Sequence, residues 1–245
     1  MDMKEIITTL ISSDEIRDRM VLLASDRLKE YRVVLPIRKW RTWVTGLPRR
    51  KLRKHRIVSV TYKPGYYPMY GVFGYVLYKV YEPIKVTVLQ EYDSEKRKWF
   101  DWMTDDPYHF YAMAELAYRS YGNVLVGGLG LGLIVHFLVN NPLVDRIYVI
   151  EKSIEVYELV KRSLPKRAGK IKVYIGDFFE IAPTMSNIDT VVADLWTGNL
   201  AENFPLLRKT RALVEKCFPK ANHLYHGYQP YFDSEKILKD LNVLK

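Results

Sequence analysis

The chain has 245 residues, 48% of them hydrophobic, so it can bury the core of one large domain and is not expected to be disordered. Cys217 is the only cysteine, which excludes an intrachain disulfide and favours a reducing, cytoplasmic location. The formal net charge is +10, and residues 1–60 carry fifteen Lys or Arg against seven Asp or Glu. The basic excess therefore belongs to the N-terminal quarter of the chain.

The first 55 residues are predicted to form a basic, helical N-terminal segment. Ser12 and Glu15 have the spacing of a capping box, and the apolar residues that follow recur at helical spacing as far as Tyr31. The stretch from Pro36 to Arg56 contains nine Lys or Arg, two Trp and no acidic residue. Such a composition predicts a surface segment that contributes no core element.

Residues 56–103 are rich in β-branched and aromatic residues, which is typical of strands. Turn signals at Pro64-Gly65, Glu82-Pro83 and Asp93-Ser94 divide this region into shorter runs. We predict a small antiparallel β region of three or four strands, in which the run YGVFGYVLYKVY is a single strand.

Residues 104–245 alternate between apolar strand patterns and amphipathic helix patterns. Asp106 is a suitable N-cap and Pro107 a favourable first helical residue, so a helix should run from there to about Tyr121. Five strand patterns follow, namely VLVGG, RIYVIE, KVYIGD, DTVVAD and HLYHGY, and all but the third are followed by a helix pattern. This alternation predicts a parallel sheet covered by helices on both faces, with a loop after the third strand.

Three glycines at alternate positions, Gly128, Gly130 and Gly132, follow the first of these strands. The apolar run around them is interrupted by His136 and closed by Asn140-Asn141-Pro142, which makes it shorter than the about twenty residues of a membrane span. The spacing instead predicts a tight strand-to-helix turn whose backbone can approach a ligand.

Acidic residues end three successive predicted strands: Glu151, Asp177 and Asp194. The carboxyl ends of parallel strands form the edge at which open α/β sheets bind ligands. Glu151 lies nineteen residues after Gly132, where a carboxylate can accept hydrogen bonds from both hydroxyls of an adenosine ribose. Any one of these acids alone is better explained as a helix cap or a solvated loop residue, but together with the glycines the set predicts a cofactor site.

Three short motifs carry a resemblance to a known family: Met103-Thr104-Asp105-Asp106-Pro107, the run from Gly128 to Gly132, and Asp194-Leu195-Trp196. From residue 85 to about residue 228 the chain resembles class I S-adenosylmethionine-dependent methyltransferases, in particular small members of the spermidine-synthase-like branch. The resemblance implies a Rossmann-like, doubly wound α/β sheet of the class I methyltransferase type. Because few residues follow Tyr228, we expect this sheet to be truncated after its fifth strand.

The resemblance also implies S-adenosylmethionine as the cofactor. The amides of Gly128, Leu129 and Gly130 would face its methionine carboxylate, Glu151 would hold the ribose, and Asp177 would meet the adenine. Either Asp105 or Asp106 could hold the amino end of the cofactor or simply cap the next helix. The implied cofactor-binding set is Gly128, Leu129, Gly130, Gly132, Glu151, Lys152, Asp177, Phe178, Asp194, Asp105 and Asp106.

Methyl transfer from a sulfonium is an in-line displacement, so the protein mainly aligns the acceptor and, where the acceptor bears a proton, accepts it. Asp194 and Trp196 are the candidates for catalysis, Trp196 either as a stacking platform for a flat acceptor or as a packing residue. His226 and Tyr228, at the end of the fifth strand, lie near the expected pocket, whereas His109 and His136 are expected to pack against helices. No set of His, Cys and carboxylate residues has metal-ligand spacing.

Two other functions stay open. Aminopropyl transfer, the reaction of true spermidine synthases, is less compatible with the chain, because Thr197 stands where those enzymes have a second aspartate and Phe110-Tyr111 where they have a Tyr-His pair. A positively charged protein would also repel a polyamine acceptor. The other alternative is a non-catalytic nucleic-acid-binding module that keeps the methyltransferase fold.

The densest cluster of positive charge lies within residues 38–56 and consists of Arg49, Arg50, Lys51, Arg53 and Lys54. Lys and Arg neutralise phosphates with release of counterions, and the nearby Trp40 and Trp43 could stack on unpaired bases. The cluster therefore predicts a nucleic-acid substrate or partner; a solvated surface or an acidic protein partner are the alternatives.

Overall fold

The computed structural model describes residues 21–22, 31–32, 34–71, 74–167, 169–196 and 203–228. Within these ranges the strands form a five-stranded sheet, a four-stranded sheet, a three-stranded sheet and one pair of very short strands.

Three short strands come first along the described chain: β1 (Val21–Leu22), β2 (Tyr31–Arg32) and β3 (Val34–Ile37). β1 pairs antiparallel with β2. The helix expected from Ser12 to Tyr31 is therefore wrong at Val21–Leu22, where strand pairing overrides the local helical signal. The rest of that expected helix, with its capping box, lies outside the described residues.

The basic segment and the β region are joined by a hairpin. β4 (Arg50–Leu52) pairs antiparallel with β5 (His55–Tyr62), across the position at which the sequence analysis separates the two regions. The segment also contributes to the core, because Val44 is fully buried and Trp40 Nε1 donates to the Asp105 carbonyl oxygen at 2.8 Å. The expectation that residues 36–56 hold no core element is wrong, since Ile37 and Val44 are buried while most of the charged side chains stay exposed.

A second hairpin is formed by β6 (Gly65–Gly71) and β7 (Gly74–Val80), and β3 adds to β7 in parallel. The prediction of a single strand over YGVFGYVLYKVY is wrong, because the chain reverses between Gly71 and Gly74, which face each other in the ladder. Glycine is the residue best able to adopt the backbone conformations of a tight reversal.

The four-stranded sheet has the order β4-β5-β8-β9, where β8 is Ile84–Asp93 and β9 is Lys98–Thr104. All its strands are antiparallel, as predicted for this region. Asp93 Oδ1 accepts from the amides of Glu95 and Lys96, both at 2.9 Å, which closes the predicted turn between β8 and β9.

The remaining described residues form alternating helices and strands. These are α1 (Pro107–Tyr118), β10 (Gly122–Gly127), α2 (Leu133–Asn140), β11 (Val144–Glu151), α3 (Ile154–Val160), β12 (Ile171–Ile175), α4 (Phe178–Ile181), β13 (Thr190–Ala193), α5 (Phe204–Cys217) and β14 (Asn222–Tyr225). The strands are parallel and lie in the order β12-β11-β10-β13-β14, so the direction of winding reverses between β10 and β13. This confirms the predicted Rossmann-like, doubly wound α/β sheet.

Local signals account for several element ends. Asp106 Oδ1 accepts from the His109 amide at 3.0 Å and caps α1, and Pro107 occupies the first helical position. The loop expected after the third strand contains the short helix α4, which Asp177 caps. The predicted end of the sheet after β14 and the expectation at Thr197 concern parts of the chain outside the described ranges.

The apolar run that follows residue 122 is divided between β10, a turn and α2. In the part of the chain that the structure describes, no helix is both long enough and apolar enough to cross a membrane.

Candidate functional site

A cavity of about 810 Å³ lies at the carboxyl ends of the parallel strands, over the point where the winding reverses. This volume falls in the range of about 300–1,000 Å³ that is typical of small-ligand sites. The strand ends and the glycine turn contribute one wall, and the four-stranded sheet contributes another. The lining includes Gly128, Gly130, Glu151, Asp177, Asp194 and His226 on the first wall and Lys54, Glu91, Trp102 and Met103 on the second.

The glycine turn has the backbone that its sequence predicts. Gly128, Gly130 and Gly132 have φ values of +92°, +51° and +79°, which side-chain-bearing residues rarely adopt. Protein atoms also crowd the turn, because a Cβ on Gly128 would overlap the Asp194 carbonyl oxygen and a Cβ on Gly130 would overlap the Met103 sulfur. Gly128 and Gly130 thus allow close packing of the turn against the end of β13 and against β9, and a Cβ on Gly132 would meet the Leu164 side chain.

Glu151, at the end of β11, links the turn to the sheet. Its side chain is buried, and its two oxygens accept from the Leu129 amide at 2.9 Å and the Ser153 amide at 2.7 Å. Burial raises the pKa of Glu151, although these amides and that of Gly130 act in the opposite direction. The carboxylate therefore lines the cavity in a fixed position.

The amides of the turn do not face the cavity as the resemblance implies. Gly128 donates to the Ile150 carbonyl oxygen at 2.9 Å, and the amides of Leu129 and Gly130 are directed at Glu151. Leu131 donates to the Met103 sulfur at 3.3 Å. The amide cradle for a methionine carboxylate stays a prediction, and in the structure the amides of Gly128 and Leu129 already have acceptors within the protein.

Asp177 and Lys152 lie together at the cavity edge. Asp177 accepts from the Phe179 amide at 2.8 Å and from Lys152 Nζ at 3.0 Å, and both interactions lower the pKa of Asp177. Phe178 is buried, and its ring lies where a Cβ on Gly127 would be. Asp177 thus combines helix capping with a place in the lining, and Phe178 forms part of the apolar floor.

Asp194 and His226 form a pair across the ends of β13 and β14. His226 Nδ1 lies 2.9 Å from Asp194 Oδ1, and because a carboxylate can only accept, Nδ1 carries the proton. His226 Nε2 is buried and has no hydrogen-bond partner among the described residues. Burial lowers the pKa of His226, but the charge and hydrogen bond of Asp194 outweigh it and the pKa is raised.

We expect the His226 ring to titrate above the ordinary histidine value of 6.5, and Asp194→Asn to lower that pKa. The charged groups around the ring are Asp194 and the more distant Glu115 on α1, with the His109 ring at 5.8 Å. Because the folded pKa is raised, the pair stabilises the fold at low pH, and this contribution is lost as pH rises through the folded pKa.

NMR titration of the ring protons in the full chain measures this pKa. Asp189→Asn is the matched control, because Asp189 contacts the amide of Asn123 at the opposite end of the sheet and should leave His226 unchanged. A His226 ring that titrates at or below the ordinary value, or that does not respond to Asp194→Asn, would contradict the assignment.

Asp105 and Asp106 do not line the cavity. Asp105 is fully buried and accepts from the Thr42 hydroxyl at 2.6 Å and from the Thr87 amide. Asp106 caps α1 and accepts from the Tyr62 hydroxyl at 3.0 Å. Both carboxylates attach the N-terminal region to α1, so the capping alternative describes Asp106, and we assign neither residue to a cofactor.

Trp196 lines the cavity, but most of its ring is covered by packing. Only 7% of it is exposed, its ring packs edge-on against Tyr228 at 5.1 Å, and its Nε1 donates to the His226 carbonyl oxygen at 2.9 Å. This matches the packing alternative and leaves little free ring surface for an acceptor. Trp102, which the sequence analysis did not select, is 42% exposed and lines the same cavity.

The two histidines expected to pack against helices differ, and the expectation is wrong for His109, which lines the cavity. His136 stacks on Trp43 at 5.0 Å, as expected for a helix-packing residue. His109 lies at the cavity, with Nδ1 near the Thr104 hydroxyl and Asp106. Over the described ranges, no group of three or more His, Cys, Asp or Glu could hold a metal ion.

The basic cluster borders the cavity at Lys54. Lys54 pairs with Glu91 at 2.6 Å, and Arg53 pairs weakly with Glu155 at 3.7 Å. Lys51 lies over the ring of Trp99 at 5.4 Å. Arg49 and Arg50 are exposed at the start of the hairpin. The cluster thus lies beside the cavity.

Neither a family model nor a curated protein sequence matches the chain. Among solved structures, it is similar to precorrin 8W decarboxylase from Methanobacterium thermoautotrophicum, with 18% identity, a TM-score of 0.36, and 54% of this chain and 70% of that chain covered. Spermidine synthase from Thermotoga maritima matches with 15% identity, a TM-score of 0.38, and 56% and 50% covered. A putative RNA methyltransferase from Pyrococcus horikoshii matches with 21% identity, a TM-score of 0.35, and 47% and 67% covered.

The described part of the chain has a Rossmann-like, doubly wound α/β fold. The strand order, the glycine turn and the acidic strand ends of the chain itself carry this conclusion. The match spans half the length of the spermidine synthase, and similarities of this size do not transfer an activity or a substrate.

Proposed function

We propose that the chain is an S-adenosylmethionine-dependent methyltransferase. The observation that carries the proposal is the buried carboxylate of Glu151, fixed between the glycine turn and the end of β11 on the wall of the cavity. A carboxylate in this position of a doubly wound sheet can accept hydrogen bonds from the hydroxyls of a ribose.

The cavity residues fit the adenosine part of this cofactor. Glu151 provides the acceptor for the sugar, Asp177 a carboxylate that can accept from an exocyclic amine, and Phe178 an apolar floor. The turn amides are engaged within the protein, so side chains have to hold the methionine part. Lys54 is a cation on the opposite wall, and we propose it as a partner of the carboxylate.

When bound, S-adenosylmethionine supplies a methyl group on an activated sulfonium. The protein has to hold the cofactor and the methyl acceptor in line and exclude water. Where the methyl acceptor bears a proton, the protein also has to remove it. We assign the last task to the Asp194 and His226 pair, which lies at the cavity next to the glycine turn.

Isothermal titration calorimetry of the full chain with S-adenosylmethionine and S-adenosylhomocysteine tests the proposal. We expect dissociation constants between about 1 μM and 1 mM, the usual range for enzyme substrates. The absence of binding at millimolar ligand would contradict it and favour the non-catalytic alternative. Stronger binding of the decarboxylated cofactor would instead favour aminopropyl transfer.

We further propose that the acceptor is a nucleic acid. The support is the position of the basic cluster, whose hairpin forms the edge of the cavity at Lys54 and His55. Arg49, Arg50 and Lys51 lie on the same hairpin, where they can neutralise phosphates next to the site.

A further inference from the structure

A β-bulge directs Trp102 to the cavity. In the ladder between β8 and β9, Leu89 faces Met103 and Gln90 faces Asp101, so Trp102 is an extra residue without a partner. Bulges often lie beside active sites, where they redirect a side chain. Here the next residue, Met103, is buried against the glycine turn, while Trp102 stays 42% exposed on the cavity wall.

The ring of Trp102 is available to a ligand. It makes no aromatic or cation contact with another described residue, whereas the rings of Trp40, Trp43, Trp99 and Trp196 each pack against another aromatic ring. A free indole face at the wall of a cavity is suited to stacking on a flat group.

Cations accompany the aromatic residues of the same strand. Arg56 lies 4.0 Å from the ring centre of Trp99, and Lys51 lies over the same ring. Lys96 and Lys98 lie over the ring of Phe100 at 5.2 and 4.7 Å, on the opposite face of the strand from Trp99. Aromatic rings interleaved with cations are the composition of surfaces that bind single-stranded nucleic acid, in which bases stack and phosphates are neutralised.

We propose that Trp102 stacks on the methyl acceptor, and that this acceptor is a base of a single-stranded nucleic acid whose backbone follows β9 past Lys51 and Arg56. This inference rests on the proposed methyltransferase function. A base has to leave the duplex stack before it can enter a cavity of this kind, so the unpaired strand is the substrate form that the geometry favours.

Fluorescence anisotropy of the full chain with labelled oligonucleotides of about twelve nucleotides tests the proposal. The probes are a mixed-sequence single-stranded RNA, the corresponding single-stranded DNA and the duplex. Trp102→Leu should weaken single-strand binding about tenfold, and Trp102→Phe should retain most of it, because a phenyl ring can still stack.

Trp43→Leu is the matched control. Trp43 is 44% exposed, close to the exposure of Trp102, and its sequence context suggests base stacking. Its ring instead stacks on His136 and does not line the cavity, so binding should change by less than about twofold. Replacing Lys51 and Arg56 by glutamine should reduce the slope of log affinity against log salt by about 0.7 for each cation that contacts a phosphate.

The proposal is overturned if Trp102→Leu binds as wild type does, if Trp43→Leu loses as much affinity, or if the duplex binds as tightly as the single strands. Thermal unfolding of each variant establishes that it is folded. Calorimetry with S-adenosylhomocysteine separates the two proposals. If the cofactor does not bind but oligonucleotide binding depends on Trp102, the proposed methyltransferase function is contradicted. The proposal that a base stacks on Trp102 is then still supported.

Discussion

Glu151→Gln should weaken the binding of S-adenosylmethionine by about 10- to 100-fold, because hydrogen bonds to a charged group contribute about 1.5–3 kcal/mol. Glutamine has nearly the same shape as glutamate, but it replaces one acceptor oxygen by an NH₂ group. In the folded chain that group would meet the amide of Leu129 or Ser153, donor against donor. The substitution therefore also costs about 1–3 kcal/mol of stability. Calorimetry gives the affinity, and urea unfolding gives the free energy of unfolding.

Glu158→Gln is the control for this prediction. Glu158 lies on α3 outside the cavity lining and pairs with Lys161 at 2.6 Å, a partly exposed contact of small expected energy. Its removal should change cofactor affinity by no more than about fivefold, since such pairs contribute at most about 1 kcal/mol. Equal losses for the two variants, or wild-type affinity for Glu151→Gln, would show that Glu151 does not hold the ribose.

The sequence predicts those parts of the site that depend on neighbours along the chain. Asp106 and Pro107 mark the start of α1 because an N-cap and a first-turn proline act within one helical turn. Glu151 is predictable for a similar reason, since a carboxylate at the end of the strand after a glycine turn meets that turn whenever the two strands are adjacent and parallel. The order of strands and helices follows from the same short-range patterns.

Contacts between distant parts of the chain decide the features that the sequence leaves open. Trp102 owes its exposure to a bulge, and the bulge depends on how β9 pairs with β8, which no local pattern records. The pairing of Asp194 with His226 joins residues 32 positions apart. Val44 becomes a core residue in a stretch full of charge only because helices and strands far along the chain cover it.

The tight glycine turn is correctly predicted, but the reason for its glycines differs from the one that the sequence pattern suggests. Its pattern suggests that side chains are excluded to let a ligand reach the backbone, yet the atoms that would meet a Cβ belong to Asp194 and Met103. A glycine required by packing and one required by a ligand give the same sequence. Only the position of the neighbouring atoms separates them, and a substitution can measure the difference.

Gly128→Ala is expected to destabilise the fold by about 2–5 kcal/mol, because the strain of a positive φ costs about 1–2 kcal/mol and the overpacking about 1–3 kcal/mol. The φ of Gly128 is +92°, and the new Cβ would overlap the carbonyl oxygen of Asp194. That oxygen cannot retreat easily, since the Asp194 amide donates to the Gly127 carbonyl oxygen at 2.9 Å and fixes the backbone there. Urea unfolding followed by circular dichroism measures the loss.

Gly46→Ala separates the two contributions. Gly46 has nearly the same φ, +89°, but a Cβ there would meet no atom within 4 Å. Its substitution should therefore cost only the conformational part, about 1–2 kcal/mol. If the two variants lose the same stability, the overlap with Asp194 is relieved without cost and the turn is not held by packing. If Gly128→Ala loses more, the same displacement should disturb Asp194 and shift the NMR signals of the His226 ring, because the carboxylate that holds that ring belongs to the residue whose backbone has moved.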